Sequence, residues 1–325
     1  MNILSSQRKQ VFTAQAIGIL LGACLALPFG TGAATPPTEK EAPDTEELHK
    51  PVRRTGPLNP PARPKAGEPI NDKAMFRYLE IEGLKMVEAH QTLAHWGDAL
   101  GRKTCQLKLP TPGTRKLSPE DVARRAETAV VAIGTFYLCG KCSNIHMSTA
   151  SGFFLNESGA VATCRHVFDG YSTNGQGAVV LTRDGRLCAV REIIACDPLN
   201  DLIIVQVDGK GFTPLPLSTH APMGAPVTLV SHPENHFYMT TTGVISRRTV
   251  QRRKDGLVEF LTITADFAKG SSGAPVCNDS GAAVCVVNNT ESIYYNVERG
   301  QAVNFQMTVK NCTPAQALLG LVKAR

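Results

Sequence analysis

Hydrophobic and polar residues alternate along this chain with two different rhythms. From about residue 118 to residue 309, short apolar and β-branched runs are separated by polar turn signals. Short strands at this spacing are typical of an all-β sandwich or barrel rather than of alternating strand–helix units. The first strand is predicted over Ala129 to Tyr137. The strongest turn signals are Asp184-Gly185, Asp208-Gly209, Asp255-Gly256 and Asp279-Ser280-Gly281.

A helical rhythm precedes the strands, over residues 72–100. Asp72 is the predicted cap and Gly101 the predicted end, while Gly83 weakens the middle of the helix. We expect this amphipathic helix to pack on the β domain, with an oligomerisation or inhibitory element as the alternative. Its apolar stripe comprises Phe76, Leu79, Leu84 and Val87.

Two shorter helices are predicted at the ends of the β region. Ser118 is a suitable N-cap, because Pro119 follows at the first helical position and Asp121 can partly imitate a capping box. Near the end of the chain, Thr313-Pro314 predicts the start of a closing helix that runs through Val322.

The first 70 residues differ in composition from the rest. Residues 1–34 resemble a secretory leader, with a basic start, an apolar core from Ala16 to Phe29 and a small-residue cleavage site. Leu21 to Cys24 also fits a bacterial lipobox, so lipidation at Cys24 and an uncleaved anchor are alternatives. Residues 35–70 hold nine of the 21 prolines and few large apolar groups, which predicts a disordered, semi-extended linker.

The charge balance changes little about the functional class. The formal net charge of +6 falls to +4 if residues 1–34 are removed, which is too mild to indicate nucleic-acid binding. Five basic residues lie among the eight from Arg247 to Lys254. Because an Asp-Gly turn follows them, we interpret this run as a solvated hairpin tip rather than a nucleic-acid patch.

The cysteines favour some disulfides. Nine of the ten lie beyond Cys24, and disulfides are expected in an exported chain, although the sequence does not give their pairing. Cys139 and Cys142 have the spacing of a disulfide, of a thioredoxin-like redox pair, or of a zinc site with His146 that would need a fourth ligand. We favour a disulfide or spare thiols, and predict no metal site.

The strongest candidate chemistry lies in Gly270-Ser271-Ser272-Gly273-Ala274-Pro275. A serine hydroxyl is a weak nucleophile unless a base accepts its proton and donors stabilise the resulting oxyanion. A Gly-x-Ser-Gly turn can direct the N–H groups of Gly270 and Ser272 to one point. Such a turn is also ordinary loop material, so by itself it is weak evidence.

Two upstream segments strengthen this interpretation. A strand, a turn and a second strand over residues 151–165 end at His166. Asp197-Pro198-Leu199-Asn200-Asp201 then opens an apolar β-branched strand, where capping or turn formation is the simpler role of an acid. A histidine, an aspartate and a serine in this order fit a nucleophile, a base and the residue that orients the base.

These segments resemble the trypsin-like serine peptidases, in particular the bacterial HtrA/DegP branch. Thr163-Cys164-Arg165-His166-Val167 is similar to the family motif T-x-x-H-V, and Asp197 to Leu202 is similar to D-P-x-x-D-L. Gly243-Val244-Ile245-Ser246 is similar to G-I-V-S, and the Ser272 turn replaces G-N-S-G-G-P. The resemblance covers roughly residues 118–325.

The resemblance implies a fold and a mechanism. The fold would be two six-stranded antiparallel β-barrels, with a helical extension and connector over residues 71–117 and the peptidase domain over residues 118–325. Ser272 would be the nucleophile, His166 the general base and Asp201 its orienting residue, with an oxyanion hole at Gly270 and Ser272. The chain would act on proteins or peptides without a cofactor, in the periplasm or outside the cell.

Other implications concern regulation and partners. The family's usual PDZ module is not expected here, so peptide capture by such a module is not implied. No nucleic-acid partner is expected, and membrane contact would come only through a lipid or signal anchor. The oligomeric state is left open.

Two residues of the resemblance depart from familiar patterns. Asp266, six residues before Ser272, corresponds to the base of the primary specificity pocket in trypsin-like enzymes, which implies cleavage after Arg or Lys. The alternative is that a differently shaped loop turns Asp266 outward. Ser271 replaces the Asp that pairs with a new N-terminus in trypsin-type zymogens, so we expect other contacts to order the oxyanion hole.

Two rival functions remain at this point. The first is a catalytically inactive, peptidase-like binding protein, but such proteins usually lose one member of the triad, and all three positions are occupied here. The second is a thiol-redox protein acting through Cys139 and Cys142, which would leave His166, Asp201 and Ser272 unexplained.

Overall fold

The computed structural model describes residues 62–169, 174–298 and 301–323. The predicted leader, residue Cys24 and residues 35–61 of the Pro-rich linker lie outside these ranges. Within them the chain forms two closed six-stranded antiparallel barrels. The predicted fold class is therefore confirmed. No helix among the described residues is long and apolar enough to cross a membrane.

The first barrel has the strand order β2-β3-β4-β7-β6-β5. The interior positions of its strands are almost completely buried, which explains their continuous apolar runs. Its strands are β2 (Val130–Leu138), β3 (Ile145–Phe154), β4 (Ala160–Cys164), β5 (Gly175–Thr182), β6 (Leu187–Asp197) and β7 (Leu202–Val207).

The second barrel has the order β10-β13-β12-β11-β8-β9. Each of the four predicted Asp-Gly or Asp-Ser-Gly signals lies in a connection next to a strand, as expected. The basic run reaches the tip of the β9–β10 hairpin, where Arg253 pairs with Gly256. The strands are β8 (Pro226–Ser231), β9 (Met239–Arg253), β10 (Gly256–Ile263), β11 (Pro275–Asn278), β12 (Ala283–Glu298) and β13 (Gln301–Pro314).

The helices are short and lie outside the barrels. Ser118 caps α2 as predicted, since its hydroxyl accepts the Asp121 N–H at 3.1 Å. The closing helix is shorter than predicted, because Thr313 belongs to β13 and the chain after Leu319 turns into a strand that pairs with β1. The remaining elements are α1 (Asp72–Glu88), β1 (Cys105–Gln106), α2 (Pro119–Ala129), α3 (His166–Asp169), α4 (Ala315–Leu319) and β14 (Val322–Lys323), with 3₁₀ turns at Trp96–Leu100 and Pro233–Asn235.

Helix α1 packs on β2, β5 and β6 of the first barrel, but it ends earlier than predicted. Asn71, not Asp72, caps it by accepting the Ala74 N–H. The chain leaves the helix after Glu88, because the N–H groups of Leu93 and His95 bond to the backbone of the barrel instead. Asp72 accepts the Phe237 N–H at 3.0 Å and so ties α1 to a loop of the second barrel.

The cysteines differ from expectation. None of the nine cysteines in the described ranges is in a disulfide. Six of them are buried, where a thiol packs as a small hydrophobic group. The structure therefore does not show the predicted disulfides among these residues, which are Cys105, Cys139, Cys142, Cys164, Cys188, Cys196, Cys277, Cys285 and Cys312.

Gly83 permits close packing of α1 on the first barrel. A Cβ at this position would lie 2.6 Å from Cζ of Phe136, whose side chain is fully buried. We predict that Gly83→Ala destabilises the protein by about 1–3 kcal/mol, although Ala is favoured over Gly in a helix by about 1 kcal/mol. Urea unfolding measures the difference. The double variant with Phe136→Leu should recover part of the loss, and a stabilised single variant would contradict this packing.

His232 follows β8 and is completely buried. Its Nδ1 accepts the Tyr238 N–H at 3.0 Å, which requires an unprotonated nitrogen. Burial lowers the pKa of His232 from 6.5 to about 3. Between these values the unfolded chain binds a proton that the folded chain does not, so the free energy of unfolding decreases as the pH decreases.

We predict that the protein loses stability as the pH falls below about 6.5, by at most about 1.4 kcal/mol per pH unit from His232. Urea unfolding at several pH values measures this slope. His232→Gln should flatten it, since Gln keeps an acceptor for Tyr238 but does not titrate. His220→Gln, at an exposed histidine, should leave the slope unchanged. Equal slopes in wild type and His232→Gln would exclude this role.

Candidate active site

His166 lies at the start of α3, directly beyond the end of β4. Its Nδ1 is 2.7 Å from Oδ2 of Asp201, and its backbone N–H donates to Oδ1 at 2.9 Å. An ionised carboxylate can only accept, so Nδ1 carries the ring proton and Nε2 presents a lone pair. The His166 side chain is 44% exposed and that of Asp201 only 14%, which leaves the imidazole accessible and the carboxylate covered.

Asp201 is held by the turn between β6 and β7. Its φ of 55° is in the left-handed region, and its carbonyl accepts the Arg165 N–H. Asp197 builds this turn by accepting the N–H groups of Leu199 and Asn200. Burial raises the pKa of the Asp197 carboxyl, but hydrogen bonds from Asn200 and Arg102 outweigh this effect and lower the pKa. The simple turn role thus suits Asp197, while Asp201 faces the histidine.

Asn288 lies on β12, at the end of the buried part of this strand. Sequence reasoning did not predict its contact with Asp201. Its buried side-chain amide donates to Oδ2 of Asp201 at 2.9 Å and to the Thr313 hydroxyl at 3.2 Å. Thr313 in turn donates to the carbonyl of Asn200. No sequence pattern marks Asn288 or Thr313, because their roles depend on a contact between the two barrels.

The loop that carries Ser272 is fixed against β3 of the other barrel. Ser151 donates its backbone N–H to the Ser272 carbonyl at 3.0 Å and its hydroxyl to the Gly270 carbonyl at 2.9 Å. Gly270 and Gly273 have φ values of 92° and 88°, and a Cβ on Gly273 would lie 2.1 Å from the Thr163 hydroxyl. The glycines are therefore needed both for backbone conformation and for space.

Ser271 belongs to this loop, and its side chain is fully buried. Its hydroxyl lies 3.0 Å from that of Ser231, at the end of β8. A neutral pair of hydroxyl groups thus occupies the position at which a zymogen-type Asp would hold a new N-terminus. This pair and the hydrogen bonds of Ser151 are contacts that hold the loop without a charged group.

The N–H groups of Gly270 and Ser272 have no acceptor among the described residues. Two such donors on one turn can stabilise an oxyanion beside Ser272. The half-buried Ser272 hydroxyl donates to the carbonyl of Asn288 at 3.5 Å. Asn288 therefore contacts both Ser272 and Asp201. Among the three triad candidates, the hydrogen bonds of the described residues join only His166 and Asp201 directly.

A cavity of about 140 Å³ lies next to Ser272. Lys269 is a cationic part of its lining, and the buried side chains of Phe267 and Val287 are apolar parts. The full lining is Phe267, Ala268, Lys269, Ser272, Val287, Asn288, Asn289 and Thr290.

Asp266 does not lie at the base of this cavity, so its predicted placement is wrong. Its side chain is 83% exposed, and its Oδ1 lies 2.9 Å from Nζ of Lys310 on β13. The cause is the path of the loop, because the Thr241 hydroxyl donates to the Asp266 carbonyl and Phe267, the next residue, turns inward instead. The outward alternative is the one the structure adopts.

Two groups of side chains have the donor atoms of a metal site. One comprises Cys164, His166 and Asp201. Cys164 is completely buried and donates to the Val287 carbonyl, and burial, with a smaller effect of Asp201, raises the pKa of its thiol well above the usual value. It is therefore a neutral packing group. The second group comprises Cys139, Cys142 and His146, away from this site on the β2–β3 hairpin.

The sequence is similar to known serine proteases over this region. Residues 150–286 match the family model of the trypsin-like peptidase domain. A Synechocystis protein that bears the name of a serine protease, HhoA, is 30% identical over 142 residues, which are 41% of this chain and 35% of the relative. A protein of Ectopseudomonas mendocina, named as a DegP-like periplasmic serine endoprotease, is 26% identical over 42% of this chain and 28% of its own.

The chain thus spans about a third of the length of these curated relatives. Among solved structures, the HtrA-type protease AlgW with a tripeptide is 20% identical and has a TM-score of 0.49, over 63% of this chain and 62% of its own. A serine endoprotease from Yersinia pestis is 19% identical, with a TM-score of 0.46 over 63% and 65% of the two chains.

The family match includes His166, Asp201 and Ser272 and most of both barrels. The relatives that match the same region are named as serine proteases. Residues 150–286 therefore match a trypsin-like peptidase domain and are similar to proteins named as HhoA and DegP-like serine proteases.

Proposed function

We propose that the chain is an exported serine endopeptidase that hydrolyses peptide bonds through an acyl-enzyme. Ser272 is the nucleophile, His166 the general base and Asp201 the residue that orients it. The observation that carries the proposal is the pairing of His166 with Asp201 at 2.7 Å next to a turn whose Gly270 and Ser272 N–H groups have no described acceptor. Such a constellation is recognised by its geometry and roles.

Each residue supplies one part of the reaction. The Ser272 hydroxyl turns from the Asn288 carbonyl, transfers its proton to Nε2 of His166 and attacks the substrate carbonyl carbon. Asp201 stabilises the imidazolium, while the N–H groups of Gly270 and Ser272 stabilise the oxyanion. The leaving amine takes the proton from Nε2, and water then hydrolyses the acyl-enzyme by the same route. No step in this sequence uses a metal or an organic cofactor.

Export and domain organisation are part of the proposal. The leader pattern over residues 1–34 supports export. The DegP-like relative is named as periplasmic, and we extend that location to this chain. The substrates would be proteins or peptides, and residues 118–325 would form the peptidase domain with residues 71–117 as its helical extension and connector.

We predict that Ser272→Ala abolishes peptidase activity without loss of the fold. Loss of a triad serine typically reduces kcat by about 10⁶-fold, because only binding and the oxyanion hole remain. Initial rates on an unstructured protein substrate and labelling by a fluorophosphonate probe measure the effect. Ser280→Ala, in the β11–β12 turn, is the matched serine control and should behave as wild type.

Two outcomes would contradict this assignment. Wild-type rates in Ser272→Ala would place the nucleophile elsewhere. A wild-type protein that neither cleaves the substrate nor reacts with the probe, while still binding peptides, would support the inactive binding protein instead.

We further propose that the enzyme prefers a compact uncharged side chain before the scissile bond, and not Arg or Lys. The cavity beside Ser272 has a volume of about 140 Å³ and is lined by Phe267 and Val287. Lys269 in its wall repels a cationic side chain. The Asp266 carboxylate is paired with Lys310 rather than directed into the cavity.

We predict that the wild type cleaves after Val at least about tenfold faster than after Arg, a difference of about 1.4 kcal/mol in transition-state binding. A panel of chromogenic peptides that differ only at this residue measures the ratio of kcat/KM values. Asp266→Ser should leave the ratio unchanged. A selective loss of cleavage after Arg in Asp266→Ser would restore the trypsin-like specificity that the sequence implied.

A further inference from the structure

The β2–β3 hairpin carries a cluster of metal-ligating side chains that peptide hydrolysis does not use. We propose that Cys139, Cys142 and His146 bind one Zn²⁺ ion through two thiolates and one imidazole. The Sγ atoms of Cys139 and Cys142 are 3.6 Å apart, and Sγ of Cys142 is 3.1 Å from Nε2 of His146. All three ligand atoms lie within 4.8 Å of one another.

These distances are close to those of a tetrahedral zinc site. With Zn–S bonds of about 2.3 Å and Zn–N bonds of about 2.0–2.1 Å, two sulfurs lie about 3.8 Å apart and a sulfur and a nitrogen about 3.5 Å apart. The separations of Cys139 from Cys142 and of Cys142 from His146 require shifts of a few tenths of an ångström, while Cys139 and His146 lie within 4.8 Å of each other. Cys142 can make them, because it is exposed at the tip of the hairpin.

The backbone of the hairpin sets the positions of the ligands. The β2–β3 register pairs Tyr137 with His146, which brings His146 next to the first residues of the turn. The imidazole is 2% exposed and stacked on the Tyr137 ring at 5.6 Å, so its orientation is fixed before an ion binds. Gly140, with a φ of 73°, permits the tight turn between the two cysteines.

The turn also directs a donor at the Cys139 sulfur. The Lys141 N–H lies 3.4 Å from this sulfur and donates to it. A thiolate is the form that binds a metal ion, and it accepts such a hydrogen bond more strongly than a thiol does. Two sulfurs and an imidazole select a borderline or soft ion over Mg²⁺ or Ca²⁺, which need oxygen ligands.

The fourth coordination position would face solvent beside Cys142 and would be filled by water. His146 and Ser151 are five residues apart on β3, which is about 17 Å along a strand. The proposed ion is therefore remote from Ser272 and stabilises the hairpin without taking part in peptide hydrolysis. Its detection does not depend on whether the chain is a peptidase.

The competing chemistry is a disulfide between Cys139 and Cys142. A disulfide would use both thiols but not the imidazole of His146, although Nε2 of His146 lies 3.1 Å from the Cys142 sulfur. Forming it also requires an oxidant, whereas Zn²⁺ binding requires only the loss of two thiol protons. The approach of all three ligand atoms is what favours the ion over the disulfide.

The experiment is a Zn²⁺ titration of the full chain under a phosphine reductant, in competition with a chromophoric chelator. We expect one ion per chain with a Kd below about 1 μM. Cys142→Ser and His146→Gln should each weaken binding at least about 100-fold, since even outer-shell changes cost 10–100-fold. Cys105→Ser, at a half-buried thiol outside the cluster, is the matched control and should bind as wild type. Circular dichroism checks the fold of each variant.

Cobalt(II) provides an independent readout of the ligands. The wild type should show sulfur-to-cobalt charge-transfer absorption, which Cys142→Ser reduces and Cys105→Ser leaves intact. Reduced protein that binds no Zn²⁺ at micromolar concentration would overturn the proposal. Equal affinity in wild type and His146→Gln would overturn the three-ligand site, because the two thiols alone would then account for binding.

Discussion

The candidate site depends on the hydrogen bonds between Ser151 and the loop of residues 270–275, here called the Ser272 loop. The loop belongs to the second barrel, and Ser151 belongs to β3 of the first. Its N–H bonds to the Ser272 carbonyl, and its hydroxyl bonds to the Gly270 carbonyl and accepts the His232 N–H. The peptide that carries the Gly270 N–H is fixed separately, because the Lys269 carbonyl accepts the Glu234 N–H at 2.7 Å. The peptide that carries the Ser272 N–H is fixed in the same way, because the Ser271 carbonyl accepts the Ala274 N–H at 3.0 Å. A donor pair fixed before the reaction has no reorganisation cost when the oxyanion forms.

The same contact holds Ser272 against the first barrel, which carries His166 and Asp201, although Ser272 belongs to the second. His166 lies just after β4 and Asp201 just before β7, and these two strands of the first barrel are hydrogen-bonded neighbours. The Ser272 loop can pack on the first barrel because Gly273 has no Cβ to collide with Thr163 and the Ser151 carbonyl. Asn288 then joins the two halves, since its amide bonds to Asp201 and its carbonyl accepts from Ser272.

Local sequence patterns predicted most of the elements and the candidate triad. The end of β4 at Cys164 and the turns between strands depend on residues that are close in sequence. The alternation of apolar residues and the Asp-Gly pairs were therefore sufficient to predict these positions. The features that were missed depend on distant contacts. Helix α1 ends at Glu88 because the chain beyond it bonds to the barrel, and Asn288 acts across the barrel interface. Asp266 turns outward because the Thr241 hydroxyl, 25 residues away, holds its carbonyl and fixes the path of the loop.

The Ser272 loop is held in place by neutral groups rather than by a buried ion pair. A buried ion pair between an Asp and a new N-terminus must overcome the cost of removing two charges from water, so it forms only when cleavage supplies the amine. The hydroxyl pair of Ser231 and Ser271 and the neutral His232 avoid this cost. Hydroxyl groups do not titrate near neutral pH, and His232 remains uncharged there because its pKa is about 3. The loop can therefore be ordered in the uncleaved chain at neutral pH, by hydrogen bonds that folding alone provides.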